Sequence, residues 1–154
     1  MRKTSTPRQP SRTCPDSATA GTGAVEFVIT APLILVILFG GVEVARLFFS
    51  YHKADHALRA ATRFLARVPC ENLADRLDEA RNLALRGTID ASGDLLLPGW
   101  TDPASITLSS DCAPVIQTVT LTAAVTLPFR FMPLFGETAQ QTFTVTHSER
   151  VIGQ

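Results

Sequence analysis

The side chains that could carry out chemistry are few and lie far apart. His52 and His56 are four residues apart, which would place both imidazoles on one face of a helix, and the third histidine is His147. No Glu or Cys nearby completes the tetrahedral set that a zinc ion requires, so two polar surface residues are the simpler interpretation. The adjacent carboxylates Asp78 and Glu79 would point about 100° apart on a helix, which favours a solvated surface over acid–base catalysis.

Motifs of the common enzyme classes are missing from the sequence. The chain contains no Gly-rich phosphate loop, no Cys-x-x-Cys pair and no Gly-x-Ser-x-Gly elbow. Its 14 basic and 14 acidic residues balance, and the basic residues are scattered beside acids instead of forming the patch that nucleic acid would require. We therefore predict no enzyme activity, no catalytic residues, no metal site, no cofactor and no binding of nucleic acid.

An apolar segment near the N-terminus is the dominant element of the chain. Residues 27–42 carry no charge, and the only charged side chains in residues 24–49 are Glu26, Glu43 and Arg46. A helix rises about 1.5 Å per residue, so roughly twenty residues span the ~30 Å hydrocarbon core of a bilayer. A helix of a soluble domain would show a polar face every three or four residues, and a secretory signal would be followed by a small-x-small cleavage site. Because neither is present, the segment predicts a membrane helix.

Residues at the two ends of this segment carry a family resemblance. A carboxylate such as Glu26 costs a few kcal/mol to bury unless it meets a positive partner, and Gly21 lies five residues before it. The stretches Gly-Thr-Gly-Ala-Val-Glu-Phe, from Gly21, and Gly-Val-Glu-Val-Ala-Arg-Leu-Phe-Phe, around Glu43 and Arg46, resemble the TadE-like family. These are minor pseudopilins of tight-adherence (Flp-type) pilus systems. The run Pro-Phe-Arg-Phe-x-Pro-Leu at residues 128–134 also resembles them.

The resemblance implies a processing site. A prepilin peptidase would cut between Gly21 and Thr22, ahead of the pair Glu26 and Phe27. The cut would expose an α-amine at Thr22, about one helical turn from Glu26. In an assembly this amine could neutralise the Glu26 carboxylate of a neighbouring subunit. The alternative is an interfacial carboxylate that is favoured by the positive end of the helix dipole.

The function that the resemblance implies is that of a minor pseudopilin-like membrane protein taking part in the assembly of a tight-adherence pilus. Glu43 and Arg46 would contribute to charge pairing in the assembly. The implied partners are the membrane, the prepilin peptidase, and other pilins, pseudopilins and pilus-assembly components. The alternative is an uncleaved single-pass anchor whose extracytoplasmic β domain binds a partner or ligand.

The implied location is the bacterial cytoplasmic (inner) membrane, crossed once, with the N-terminus inside and the head outside. Basic residues occur on both sides of the span, so charge counting alone leaves the orientation open. Entry into the pilus itself also stays open.

The chain is predicted to have three regions: a disordered cytoplasmic leader over residues 1–21, a transmembrane helix over residues 22–50 and an extracytoplasmic head over residues 51–154. The leader is rich in Ser, Thr, Pro and Arg and has little to bury.

The head sequence predicts an α+β fold of pilin-like type. The first helix should continue to about residue 67, and a second should cover residues 71–86 and end at Gly87. Apolar residues at every third or fourth position define the buried face of the first helix: Ala54, Leu58, Ala61, Leu65 and Val68. A basic stripe lies on another face: Arg59, Arg63 and Arg67. Alternation of apolar and polar residues then predicts antiparallel strands over residues 106–108, 117–129 and 141–150.

The implied topology places the three cysteines in two different compartments. Cys14 lies in the leader and would leave with it, whereas Cys70 and Cys112 would lie outside, in an oxidising compartment where paired cysteines usually form disulfides. We therefore predict a disulfide between Cys70 and Cys112. Two free buried thiols are the alternative, since spacing alone does not show that the Cα atoms approach within about 7 Å.

Overall fold

Helix α1, Ser17–Leu65, is the longest element of the protein. A computed structural model describes residues 17–113, 115–131 and 139–152. Residues 17–21, at the C-terminal end of the predicted leader (residues 1–21), are the first residues of α1. No proline occurs between Ser17 and Pro32, and the alanines near the helix start favour helix. The rest of the leader lies outside the described residues.

The chain divides into two units, Met1–Leu38 and Phe39–Gln154. The described part of the first unit is helical, and its side chains from residue 23 onward are exposed except for the half-buried Ala31. The exposed fractions reach 71% for Phe27 and 72% for Ile29. A core helix would cover these side chains, so the alternative of a buried soluble helix is wrong.

In the second unit, α1 packs one face into a core. Four of the five predicted buried positions, Ala54, Leu58, Ala61 and Leu65, are fully buried, and the fifth, Val68, is half-buried. Thr62 is also fully buried, and its hydroxyl donates to the Leu58 carbonyl at 2.8 Å. The predicted basic stripe lies on the exposed face: Arg59, Arg63 and Arg67.

The second helix is shorter than predicted. Helix α2 comprises Leu77–Arg86, and a 3₁₀ turn at Cys70–Asn72 occupies part of the range predicted as helix. Leu73, between them, is only 2% exposed, so tertiary packing sets where α2 begins. The end is as predicted. Gly87 has a φ of 75°, a conformation that glycine adopts at no steric cost, and its N–H donates to the Leu83 carbonyl.

Three antiparallel strands form a sheet in the order β1–β2–β3: β1 Ile106–Cys112, β2 Gln117–Pro128 and β3 Gln140–Arg150. Strand β1 is longer than the predicted 106–108, because polar residues up to Cys112 pair with β2. Strand β2 ends at Pro128, one residue earlier than predicted. The apolar residues of β2 point into the core as predicted: Val119, Leu121, Ala123, Val125 and Leu127. The fold is therefore α+β, with the core between the inner sheet face, α1 and α2.

The outer face of the sheet carries paired hydroxyl groups. Thr122 and Thr146 lie 3.2 Å apart across β2 and β3, and Thr126 and Thr142 lie 2.8 Å apart. Such cross-strand pairs contribute roughly 0.2–1 kcal/mol each relative to alanine pairs. They explain how a strand with one dry face tolerates threonine at most positions of its other face.

The predicted disulfide joins Cys70, after α1, to Cys112, the last residue of β1. Their Cα atoms are 6.1 Å apart and 42 residues separate them in the sequence. By the loop-entropy estimate, a cross-link closing a loop of this length stabilises a fold by about 4 kcal/mol. The disulfide links Cys70, in the segment between α1 and α2, to the end of β1 in the sheet.

Candidate functional site

The residues of the predicted processing site lie early in α1. Gly21 and Thr22 are helical, and Glu26 and Phe27 are exposed. The Glu26 backbone carbonyl accepts the Thr30 hydroxyl at 2.7 Å. Within the described part of the chain, the Glu26 carboxylate has no ion-pair partner.

The apolar stretch of α1 is long enough to cross a membrane. By length and composition, one helical range in the described residues, Gly23–Leu65, meets the requirement for a span. None of its most apolar window is buried inside the chain. An uncovered apolar surface of this size calls for a lipid or protein environment.

Glu43 and Arg46, which we call the exit pair, lie where the uncharged stretch of α1 ends. Arg46 Nη1 donates to Glu43 Oε1 at 2.7 Å, and the same oxygen accepts the backbone N–H of Arg130 at 3.0 Å. Arg46 also donates to the Pro128 carbonyl at 3.0 Å. The exit pair therefore binds the backbone at the end of β2.

The Glu43 carboxylate is deeply buried. The residue is 6% exposed, and among the described residues its second oxygen, Oε2, has no hydrogen-bond partner. Removing one partner of a buried ion pair leaves an uncompensated charge, which is more costly than losing an exposed pair. Arg46 keeps 28% of its side chain exposed, so water can still reach its guanidinium.

The histidines do not come together into a metal site. His52 packs its ring edge-on against Phe48, with centroids 4.3 Å apart, and His56 is exposed. In the part of the chain that the structure describes, no group of three His, Cys, Asp or Glu residues could hold a metal ion. His147 lies instead 3.2 Å from Glu149.

The basic stripe of α1 is partly paired with acids. Arg59 lies 3.2 Å from Asp55, and Arg63 lies 3.4 Å from Glu149. The hydrogen bond from His147 and then that from Arg63 hold the pKa of the Glu149 carboxyl below its ordinary value. Because the stripe is exposed, these pairs contribute little to stability.

The family comparison falls on the same helix. Residues 21–63 match the family model of the TadE-like protein. This stretch of α1 is TadE-like. No curated protein and no solved structure matches the chain. The match begins at Gly21, includes Glu26 and the exit pair, and ends inside α1.

The TadE-like match and the apolar helix together fit a membrane-anchored protein related to tight-adherence pili. TadE-like proteins are not known as enzymes. The matched range ends at residue 63, so the resemblance of residues 128–134 stays a prediction. Within that run, residues 132–134 lie outside the described residues.

The contact between the exit pair and the end of β2 could not be derived from sequence. Both members are recognisable as charges bordering an apolar segment, and their spacing of three residues suits a helical ion pair. The backbone groups that they bind lie more than eighty residues further along the chain. A buried carboxylate does signal that partners exist, but it does not say which ones.

Proposed function

We propose that this chain is a minor pseudopilin-like membrane protein that takes part in the assembly of a tight-adherence pilus. A prepilin peptidase cuts it between Gly21 and Thr22. The TadE-like match carries this proposal, because it begins at Gly21 and covers the exposed apolar helix. The partners are the membrane, the peptidase, and other pilins and assembly components.

Glu26 is the residue that joins neighbouring subunits in this proposal. After the cut, the Thr22 amine of one subunit meets the Glu26 carboxylate of another in an apolar setting. Support comes from the exposure of Glu26 and from the absence of an ion-pair partner for it among the described residues. Two opposite charges buried together avoid the cost that each would carry alone.

The exit pair acts within one subunit. Its hydrogen bonds to Pro128 and Arg130 lie inside the same chain. We therefore assign Glu43 and Arg46 an indirect part in assembly: they hold the end of β2 against α1, so that the head meets its neighbours in one orientation.

The head lies outside the cytoplasmic membrane and the N-terminus lies inside. The Cys70–Cys112 disulfide supports this orientation, because disulfides persist in oxidising compartments and are rare in the cytosol. A leader of Ser, Thr, Pro and Arg suits the cytoplasmic side.

N-terminal sequencing of the protein purified from membranes tests the proposal. The mature chain should begin at Thr22. Gly21→Leu should block the cut, because a bulky side chain then occupies the position before the scissile bond. Gly23→Leu is the matched control, since a Cβ at Gly23 meets no atom within 4 Å and the residue lies beyond the cut.

The outcomes separate the candidate functions. A chain that retains Met1 would favour the uncleaved anchor whose β domain binds a partner or ligand. A start beyond residue 45 would instead indicate a signal peptide. Equal processing of the Gly21→Leu and Gly23→Leu variants would show that the peptidase does not recognise Gly21.

A further inference from the structure

The end of β2 lies beside the apolar part of α1. The ring of Phe131 packs against that of Phe39, with centroids 5.2 Å apart. Phe39 belongs to the uncharged residues 27–42 and precedes Glu43 by four positions, about one helical turn. Because Arg130 N–H meets Glu43 and the next residue meets Phe39, the chain runs from the exit pair toward the apolar side of α1.

Three backbone polar groups in this stretch are hydrogen-bonded within the chain. The Pro128 carbonyl and the Arg130 N–H are bound by the exit pair, each at 3.0 Å. Between them, the Phe129 N–H donates to the Ala139 carbonyl at 3.0 Å. A loop in water needs no such partners, whereas backbone at the edge of hydrocarbon must find them within the protein.

Exposed apolar rings continue along α1 past the exit pair. The exposed fraction is 60% for Phe48, 70% for Phe49 and 40% for Tyr51. Aromatic rings at the boundary of a span are typical of the interface between lipid and water. Exposed apolar side chains of α1 therefore lie on both sides of the exit pair. Residues 128–131 lie beside this part of the helix.

We propose that residues 128–131 form a second membrane contact, with Phe131 inserted into the lipid interface beside α1. The proposal rests on the proposed membrane anchor. Lipid is the occupant because Phe131 packs beside Phe39, in the uncharged stretch of α1, and because three backbone groups of residues 128–130 are already paired within the chain. The exposed Arg130 side chain can extend to anionic headgroups while Phe131 stays in the apolar layer. The exit pair thereby holds the head against the membrane surface.

Quenching by brominated lipid tests this contact in the full-length chain. The Phe131→Trp variant is reconstituted into vesicles of phosphatidylcholine and phosphatidylglycerol, with and without bromine on the acyl chains. Trp100, the one native tryptophan, is 2% exposed and supplies a constant background. Bromine should lower the emission of the Phe131→Trp variant and leave that of the unsubstituted protein unchanged.

Two control variants separate the turn from the anchor. Phe39→Trp reports on the span and should be quenched. Val115→Trp, between β1 and β2, should not be quenched. Val115 is 83% exposed and lies beyond the opposite end of the twelve-residue strand β2, roughly 40 Å away at about 3.3 Å per residue. An intact Cys70–Cys112 disulfide, found by mass, shows that each variant has folded.

Each result decides the question. Quenching at positions 39 and 131 but not at 115 supports the membrane contact. Quenching at 39 alone overturns it while the anchor stands, and a blue-shifted but unquenched emission at 131 would then assign the surface to a protein partner. Absence of quenching at both 39 and 131 overturns the anchor and the second contact together.

Discussion

The Glu43 carboxylate of α1 accepts the backbone N–H of Arg130 at 3.0 Å across 87 residues of sequence. The same oxygen binds Arg46, so one buried atom joins the helix, its ion pair and the end of β2. This contact lies where the uncharged stretch of α1 ends. It joins the end of β2 to the part of α1 that belongs to the same unit.

Replacing Glu43 should destabilise the head. Glu43→Ala leaves Arg46 and the Arg130 N–H without their acceptor, and we expect a loss of about 3 kcal/mol, the low end for a broken buried pair. The low end applies because Arg46 is partly exposed. Glu43→Gln keeps an acceptor and should cost less. Urea unfolding of the detergent-solubilised protein measures both.

The matched control for this prediction is Glu79→Ala on α2. Glu79 pairs with Arg76 at the surface, where both side chains are substantially exposed. An exposed pair contributes about 0–1 kcal/mol. Similar losses for Glu43→Ala and Glu79→Ala would contradict the assignment of Glu43 as a buried anchor for β2.

Glu26→Ala should separate insertion from assembly. Removing a carboxylate from an apolar segment favours insertion or leaves it unchanged. Assembly should fail, because the Thr22 amine of the neighbouring subunit loses its partner. Membrane fractionation measures the first effect, and electron microscopy of pili measures the second. Normal piliation with Glu26→Ala would leave only the interfacial interpretation of this residue.

Loss of the disulfide should lower stability by about 4 kcal/mol, the loop-entropy value for its length. The Cys70→Ser and Cys112→Ser variants should lose similar amounts, and the double variant no more than either, because all three remove one cross-link. Cys14→Ser is the control and should have no effect. Two alkylatable thiols in the native protein, prepared under oxidising conditions, would contradict the bridge.

A reporter fused to the C-terminus tests the topology. With one crossing and the head outside, a phosphatase fusion should be active and a cytoplasmic reporter at the same position silent. The basic residues after the span, Lys53, Arg59 and Arg63 among them, compete with the basic leader for the inside. The reverse pattern of reporter activity would mean that they set the orientation.

Acid should weaken the contact between α1 and β3. The pKa of Glu149 is lowered from its ordinary 4.5 chiefly by the hydrogen bond from His147, and also by Arg63. A lowered pKa in the folded state gives stability that is fully present above 4.5 and is lost as pH falls through the folded-state pKa. Glu149→Gln should therefore reduce the fall in melting temperature between neutral and acid pH. The reduction should be small, because the group is exposed.

The matched variant for the acid effect is Asp90→Asn. Asp90 also has a lowered pKa, but its causes are hydrogen bonds from Ser92 within its own loop. Its replacement should leave the contact of Arg63 with β3 unchanged. If Glu149→Gln follows the same pH curve as the unsubstituted protein, its pairing with His147 does not contribute to stability.

Local pattern determined much of the fold. An uncharged stretch of sixteen residues, lengthened by its apolar flanks to residues 24–49, predicts a span, and spacing by threes and fours identified Ala54, Leu58 and Ala61 as buried. Alternation along β2 identified its inner face, and Gly87 marked the end of α2. These features follow from the periods of helix and strand, which a sequence displays directly.

Tertiary structure alone decided where α2 begins, how far β1 extends and what the exit pair binds. Leu73 is buried in the segment between the 3₁₀ turn and α2, and the polar end of β1 becomes a strand by pairing with β2. The partners of Glu43 lie more than eighty residues away, on backbone groups that any residue type carries. Such contacts depend on how whole elements pack, and no local period encodes them.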